Sequence, residues 1–93
     1  MDDAPELEAG EVTDTLDLHG FFPEQVAEAM DAFFENAQVL GLEYLKVIHG
    51  KGKSRLKWEV HQFLKADERV IDFTDAPPDS GGWGATLVRI HRF

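Results

Sequence analysis

Two segments of this chain share one pattern: a short strand-like stretch, a His-Gly pair, and a longer stretch of helical periodicity. The strand-like stretches cover residues 15–20 and 44–49, and polar and apolar residues alternate in the first of them. In the residues that follow each one, apolar side chains recur every three or four positions, which predicts helices over about 23–40 and 54–65. A chain that repeats strand and helix in this way is expected to form parallel strands with right-handed crossovers.

Two further strands complete the predicted fold. Residues 70–73 form a short apolar stretch, and residues 85–92 alternate between two faces. The intervening residues 75–84 contain two prolines and three glycines, which is typical of a loop. The order βαβαββ predicts an α/β fold, a two-layer sandwich in which two helices lie on one face of a four-stranded mixed sheet and leave the other face open.

The length and composition of the chain restrict its class. With 93 residues it has room for one domain, which we expect over residues 14–93, after a disordered acidic tail at 1–13. The absence of cysteine excludes disulfide scaffolds, thiolate zinc sites and cysteine nucleophiles. There is neither a secretory signal pattern nor an apolar run near the ~20 residues that span a bilayer. We therefore expect a cytoplasmic protein with no membrane partner, and the oligomeric state stays open.

The charge is unevenly distributed along the chain. The net charge is −9, and residues 1–45 hold twelve Asp and Glu with no Lys or Arg. Residues 46–93 hold nine Lys and Arg against six Asp and Glu, and four of these cations lie within 51–57. A protein that binds long duplex without specificity would carry a wider basic surface. The distribution instead favours local contact with one or two phosphates.

A basic, glycine-rich turn links the second strand to the second helix. Glycines let the backbone turn tightly, and a helix N-terminus with cations nearby attracts phosphate. Ser54 is a suitable N-cap for this helix. The residues predicted to bind phosphate or nucleic acid are Gly50, Lys51, Gly52, Lys53 and Arg55. A solvated helix start is the simpler alternative, and the glycines favour binding.

Three residues at the ends of the first two strands are candidates for acid–base chemistry. Asp17 and His19 lie two residues apart on one face of the first strand, and His49 ends the second. If these strands are parallel neighbours, the two imidazoles lie at one edge of the sheet, where ligands bind in open α/β sheets. Asp17 would orient an imidazole and stabilise its cation. From the residues alone, solvent-facing polar residues without chemistry are the simpler interpretation.

The remaining aromatic and metal-binding candidates are weaker. We expect His61 and His91 at the surface, and Trp58 lying over a neighbouring element rather than stacking a base. Trp83, at a loop tip, is the better candidate for base stacking. The sequence has no HxH or HxxxH cluster, so we predict no metal ligands, and Mg²⁺ stays open as a cofactor.

Three motifs in order resemble those of the Smr (small MutS-related) domain family. They lie at residues 16–20, 49–52 and 81–88, and the resemblance covers roughly 14–91. It implies a two-layer fold like the C-terminal domain of a translation initiation factor, and nuclease activity that nicks DNA or cleaves RNA, with a link to DNA repair. The functional elements it implies are Asp-Leu-His at 17–19 and His-Gly-Lys-Gly at 49–52. Ser54 departs from the third glycine often found in the family's loop.

These observations lead to one leading hypothesis and two alternatives. The leading one is an Smr-type endonuclease that cleaves phosphodiester bonds of DNA or RNA, with catalytic residues Asp17, His19 and His49. The second is a non-catalytic module that recognises structured nucleic acid by shape. The third is a protein-interaction domain, which the acidic surface favours. The sequence does not decide between DNA and RNA as the partner.

Overall fold

The computed structural model of the protein describes residues 14–51 and 55–92. Its strands are β1 (Asp14–Asp17), β2 (Tyr44–Ile48), β3 (Val70–Asp75) and β4 (Ala85–Ile90), and its helices are α1 (Val26–Val39) and α2 (Arg55–Ala66). Both predicted helices are present, and a short 3-10 turn at Pro23–Gln25 precedes α1. The predicted tail at 1–13, and Gly52, Lys53 and Ser54 of the basic turn, lie outside the described residues.

The four strands form one mixed sheet in the order β1-β2-β4-β3. β1 runs parallel to β2, while β4 is antiparallel to both β2 and β3. The β1-to-β2 and β2-to-β3 connections join parallel strands, and each contains a helix, as such crossovers require. The α/β two-layer sandwich with a four-stranded mixed sheet is therefore confirmed.

The main apolar core lies between the sheet and the two helices. Leu45 and Val47 of β2 point to this side, where they are buried with side chains of β4. The helices contribute Val26, Met30, Phe34 and Ala37 from α1, and Val60 and Leu64 from α2. Burial of a Leu- or Phe-sized side chain contributes about 1.5–3 kcal/mol, so this cluster holds both helices on one face. Within the described part of the chain, no helix is long and apolar enough to span a membrane.

The other face of the sheet is covered in part by a loop. Ala76, Ala85 and Leu87 form a second buried cluster there, against which Ile48 packs. Across the same face, Lys46 Nζ donates to Ser80 Oγ at 3.1 Å. The loop between β3 and β4 therefore folds back toward the carboxyl end of β2.

Candidate functional site

Two histidines follow neighbouring parallel strands at the same edge of the sheet. Asp17 is the register partner of Ile48, and one residue further on the Leu18 amide donates to the Ile48 carbonyl at 2.8 Å. His19 follows Leu18 in the chain, and His49 follows Ile48. The carboxyl ends of β1 and β2 thus bring the two His-Gly pairs to one end of the molecule.

The turn after β1 presents an exposed histidine on a short backbone loop. The Asp17 carboxylate accepts a hydrogen bond from the His19 backbone amide at 2.9 Å. The Phe21 amide closes the turn onto the Leu18 carbonyl at 2.9 Å, and Gly20 between them has φ +89°. The ring of His19 stays exposed to solvent. Asp17 therefore holds the backbone that carries His19, rather than the imidazole itself.

The turn after β2 contains a buried histidine with both ring nitrogens in hydrogen bonds. His49 is only 2% exposed. Its Nδ1 lies 3.1 Å from the Gly50 carbonyl oxygen, and its Nε2 lies 2.8 Å from Thr86 Oγ1. Because a carbonyl can only accept, the proton belongs on Nδ1, and Nε2 accepts from the Thr86 hydroxyl. Burial lowers the pKa of His49 below its ordinary value, so the ring is neutral at pH 7.

A third imidazole, from α2, joins this network. His61 was expected at the surface, but it is half-buried and its Nε2 lies 3.2 Å from Thr86 Oγ1. Its ring centroid is 6.1 Å from that of His49 and 5.1 Å from that of Phe73. Because the Thr86 hydroxyl donates to His49, its oxygen accepts from His61. Burial, and then the charge of Lys57, lower the pKa of His61.

Two charged residues complete this cluster on the helix side of the sheet. Asp75 is the register partner of Thr86 across β3 and β4. Its Oδ1 lies 3.4 Å from Lys57 Nζ of α2, and the two side chains are 52% and 32% exposed. An ion pair this accessible contributes less than about 1 kcal/mol. The sequence contained one signal for this cluster: Thr86 lies on the same face of the last strand as Val88 and Ile90, so it places a hydroxyl group among apolar side chains.

The loop before β4 holds the start of the basic turn through backbone hydrogen bonds. The Gly84 carbonyl accepts from the backbone amides of His49 at 3.0 Å and Gly50 at 2.9 Å. A Cβ on Gly84 would lie 2.8 Å from Lys51 Cγ and 3.3 Å from the backbone of the turn, so any larger residue would force the Lys51 side chain or the turn to shift. The Gly50 amide is thus already occupied, and its φ of +91° shapes the turn. Lys51 remains exposed, whereas the predicted phosphate ligands Gly52 and Lys53 lie outside the described residues.

Cations occupy the start of α2, where a helix dipole disfavours them. Arg55 is the first residue of the helix, Lys57 follows, and the first turn holds no acidic residue. Each such cation costs about 0.3–1 kcal/mol, which a bound anion would offset. Arg55 is exposed, lies 3.4 Å from Glu59 and extends over the ring of Trp58 at 6.0 Å. Trp58 itself is 56% exposed, so about half of its surface is accessible.

A metal centre is not apparent in this arrangement. Within residues 14–51 and 55–92, no three or more His, Cys, Asp or Glu side chains are grouped so that they could hold a metal ion.

The sequence matches proteins of one family over almost all of its described length. The sequence model of the Smr domain matches residues 16–91. Endonuclease MutS2 of Thermus thermophilus is 39% identical over 75 residues, which cover 81% of this chain and 10% of that protein. Endonuclease MutS2 of Aquifex aeolicus is 41% identical over 78 residues, which cover 84% of this chain and 10% of that protein. The chain therefore spans about a tenth of the length of these relatives.

Solved structures agree with the sequence match. The Smr domain of Thermus thermophilus MutS2 superposes with a TM-score of 0.81 at 37% identity, covering 85% of this chain and 99% of that one. YdaL, a stand-alone small MutS-related protein from Escherichia coli, superposes with a TM-score of 0.77 at 26% identity, covering 84% of this chain and 64% of that one. Sequence and fold both show that the chain belongs to the Smr domain family, as its three motifs predicted.

Proposed function

We propose that this Smr domain is an endonuclease that cleaves phosphodiester bonds of DNA or RNA. One observation carries the proposal: the carboxyl ends of the parallel pair β1 and β2 bring two His-Gly turns to one edge, beside exposed cations. Ligands bind at this edge in open α/β sheets. The MutS2 relatives bear the name endonuclease, which supports the same reaction class for this domain.

The two histidines differ in the roles they suit. The exposed ring of His19 can reach a scissile phosphate directly, as a general acid or base. His49 is neutral at pH 7 and is assigned the base role; because its acceptor nitrogen, Nε2, is bonded to the Thr86 hydroxyl, that bond must break before His49 takes up a proton. In a balanced reaction, a base removes a proton from the attacking water or ribose 2′-hydroxyl, and an acid returns one to the departing 5′-oxygen.

Binding of the phosphate is assigned to the basic turn and the start of α2. Lys51 and Arg55 are the exposed described cations there, and Lys53 belongs to the same proposed set. Asp17 contributes by fixing the turn through the His19 backbone amide. Because so few cations are involved, log affinity should fall with log salt at a slope of about −2 to −4 for a short substrate. Lys51→Ala should weaken binding without affecting the fold, since its side chain is exposed.

A non-catalytic nucleic-acid-binding module is the second candidate, and one observation favours it. His49 is buried, and both of its ring nitrogens are in hydrogen bonds within the protein. In that case His49 would be a structural residue that holds the turn to β4, and the domain would bind nucleic acid without cutting it.

Cleavage and binding, measured side by side, separate these candidates. Labelled single-stranded RNA, single-stranded DNA and branched DNA are incubated with the protein in EDTA and in Mg²⁺, and the product ends are identified. His19→Ala should lower cleavage by about 100-fold or more while binding persists. His91→Ala is the matched control, since His91 is an exposed histidine that follows β4 and lies at the opposite end of the strands from His19 and His49.

Each outcome of this experiment has a distinct meaning. A 2′,3′-cyclic phosphate product would assign RNA as the substrate, with the 2′-hydroxyl as nucleophile. Cleavage at the wild-type rate by His19→Ala would contradict the acid–base role of this residue. Binding without cleavage by the wild-type chain would establish the second candidate, and no binding at low salt would exclude both.

A further inference from the structure

A groove on the outer side of α2 has no role in the chemistry proposed above. It is an open depression of about 370 Å³, lined by Lys57, Trp58, His61, Gln62 and Lys65. These side chains lie along one side of the helix, because residues three, four and seven positions apart share a face. With Arg55 they form a stripe about 15 Å long at 1.5 Å per residue. We call this stripe the α2 groove.

The aromatic residue of the α2 groove is unusually accessible. Trp58 is 56% exposed, and the Arg55 guanidinium lies 6.0 Å from the centre of its ring. An accessible indole with a cation beside it offers a flat surface for another ring, and nucleobases stack on such surfaces without sequence preference. The amide of Gln62, one turn further along, can both donate to and accept from the edge of a base.

The charges of the α2 groove are complementary to a polyanion. Lys57, Lys65 and Arg55 lie along it, in a protein of net charge −9. Two of these cations have acidic partners, Asp75 for Lys57 and Glu59 for Arg55, and both pairs leave the cation at least partly exposed. The stripe is also continuous with the proposed phosphate site, because Arg55 belongs to both. A nucleic-acid strand held at the basic turn would therefore extend along α2 over favourable charge.

We infer that the α2 groove binds one unpaired nucleotide next to the phosphate held at the basic turn. Its base stacks on Trp58, and the flanking phosphates contact Lys57 and Lys65. This inference rests on the proposed function and adds a substrate class: a strand with at least one unstacked base, rather than continuous duplex. A paired base within a duplex keeps its own stacking partners and cannot reach the indole.

The groove also reaches the buried histidine network from outside. His61 lines the groove, and its Nε2 is bonded to the Thr86 hydroxyl that serves His49. A nucleotide on Trp58 would thus cover His61 and shield the network from solvent.

The fluorescence of Trp58 reports binding directly. The chain has two tryptophans, so a Trp83→Phe background leaves Trp58 as the sole indole. This variant is titrated at low salt with a thymidine hexanucleotide, with a blunt duplex long enough to stay paired at that salt, and with hexaglutamate. The hexanucleotide should quench Trp58, and the duplex and the peptide should not.

Affinity measurements with a labelled hexanucleotide complete the test. Trp58→Ala should weaken binding at least about fivefold, the lower end for loss of one stacked base, while Trp58→Phe should retain most of the affinity. Trp83→Ala tests the competing assignment, in which the base stacks on this second exposed tryptophan outside the groove, as the sequence favoured. Trp58 lies on the outside of a helix, so its replacement by alanine should leave the fold intact.

The outcomes separate failure of the groove from failure of the proposed function. If the hexanucleotide binds and depends on Lys51, but Trp58→Ala binds like wild type, the groove assignment is wrong and the proposed function stands. Loss of affinity in Trp83→Ala instead of Trp58→Ala would overturn it in the same way. Equal quenching by hexaglutamate would make the groove a site for acidic protein segments. If no nucleic acid binds at all, both proposals fall.

Discussion

The two His-Gly turns share a sequence pattern and differ in almost everything around it. Gly20 and Gly50 have nearly the same φ, +89° and +91°. The first turn is held by a bond within its own segment, from the His19 amide to Asp17. The second is held by partners far along the chain, namely the Gly84 carbonyl and the Thr86 hydroxyl. Position in the sheet explains the contrast, because β1 is an edge strand and β2 lies between β1 and β4.

This contrast indicates that one turn is built for access and the other for support. The exposed turn leaves an imidazole available to a substrate at little cost to stability. The buried turn fixes the start of the basic turn to the sheet. Residues such as Gly84 and Thr86, which are not assigned any ligand contact, therefore help to determine the position of Lys51. Experiments that compare matched substitutions in the exposed turn and in the buried turn are therefore the most informative.

The largest expected difference lies in the stability of the two alanine variants. His49→Ala removes a buried ring and leaves the Thr86 hydroxyl without its acceptor, so we expect a loss of about 2–4 kcal/mol in the free energy of unfolding. His19→Ala changes an exposed side chain and should stay within about 0.5 kcal/mol of wild type. Urea denaturation of both variants measures this. Equal stabilities would mean that His49 is not the anchor of its turn.

The next prediction concerns the loop between β3 and β4, which contacts the turn at His49 and Gly50. Gly84→Ala forces a Cβ against Lys51 Cγ and the turn backbone, which we expect to cost about 1–3 kcal/mol. It should also speed hydrogen exchange at the His49 and Gly50 amides, because their shared acceptor moves. Gly20→Ala is a control for destabilisation: its φ of +89° strains any side chain, but the strain lies in the first turn and a Cβ there meets nothing within 4 Å, so the His49 and Gly50 amides should keep their protection. Protection unchanged in Gly84→Ala would show that the turn does not depend on this loop.

The fold could be predicted from the sequence because its signals are local. Alternation in 15–20 and 85–92, helical spacing after each His-Gly pair, and proline and glycine in 75–84 each specify one element without knowledge of the rest. The pairing of β4 between β2 and β3 is not local, and no pattern within β4 specifies it. For the same reason, the packing of the β3–β4 loop on the open face was not anticipated.

The candidate site could be predicted only in outline. The motifs at 17–19 and 49–52 located the edge of the sheet, but the burial of His49 depends on Thr86, which lies 37 residues away. His61 was missed because its position flanks the apolar face of α2, and helical spacing alone does not tell whether such a residue faces solvent. The pairing of β3 with β4 also shifts its register between Val70 and Asp72, and this irregularity has no distinct sequence signature.

The buried turn should also make stability depend on pH. Burial lowers the pKa of His49 and His61 in the folded protein, so below about pH 6.5 the unfolded chain binds more protons than the folded one. Stability should therefore fall as pH drops from about 6.5 to 5, with a slope below about 1.4 kcal/mol per pH unit for each group. Denaturation across this range should give a shallower slope for His61→Gln than for wild type. Gln62→Ala, which removes no titratable group, should keep the wild-type slope.

The smallest expected effect tests how the exposed turn is held. Among the described residues, the Asp17 carboxylate accepts one hydrogen bond, from the His19 amide, at an exposed position, so Asp17→Ala should cost only about 0.5–1 kcal/mol. Asp17→Asn keeps an oxygen that can accept this bond and removes the negative charge, so it should be close to wild type in stability. The same pair of variants then separates two roles in cleavage. If Asp17 acts by holding the backbone, the Asn variant cleaves at nearly the wild-type rate and the Ala variant does not. If both lose cleavage equally, the negative charge beside His19 is what the reaction needs, and the carboxylate acts on the imidazole rather than on the turn.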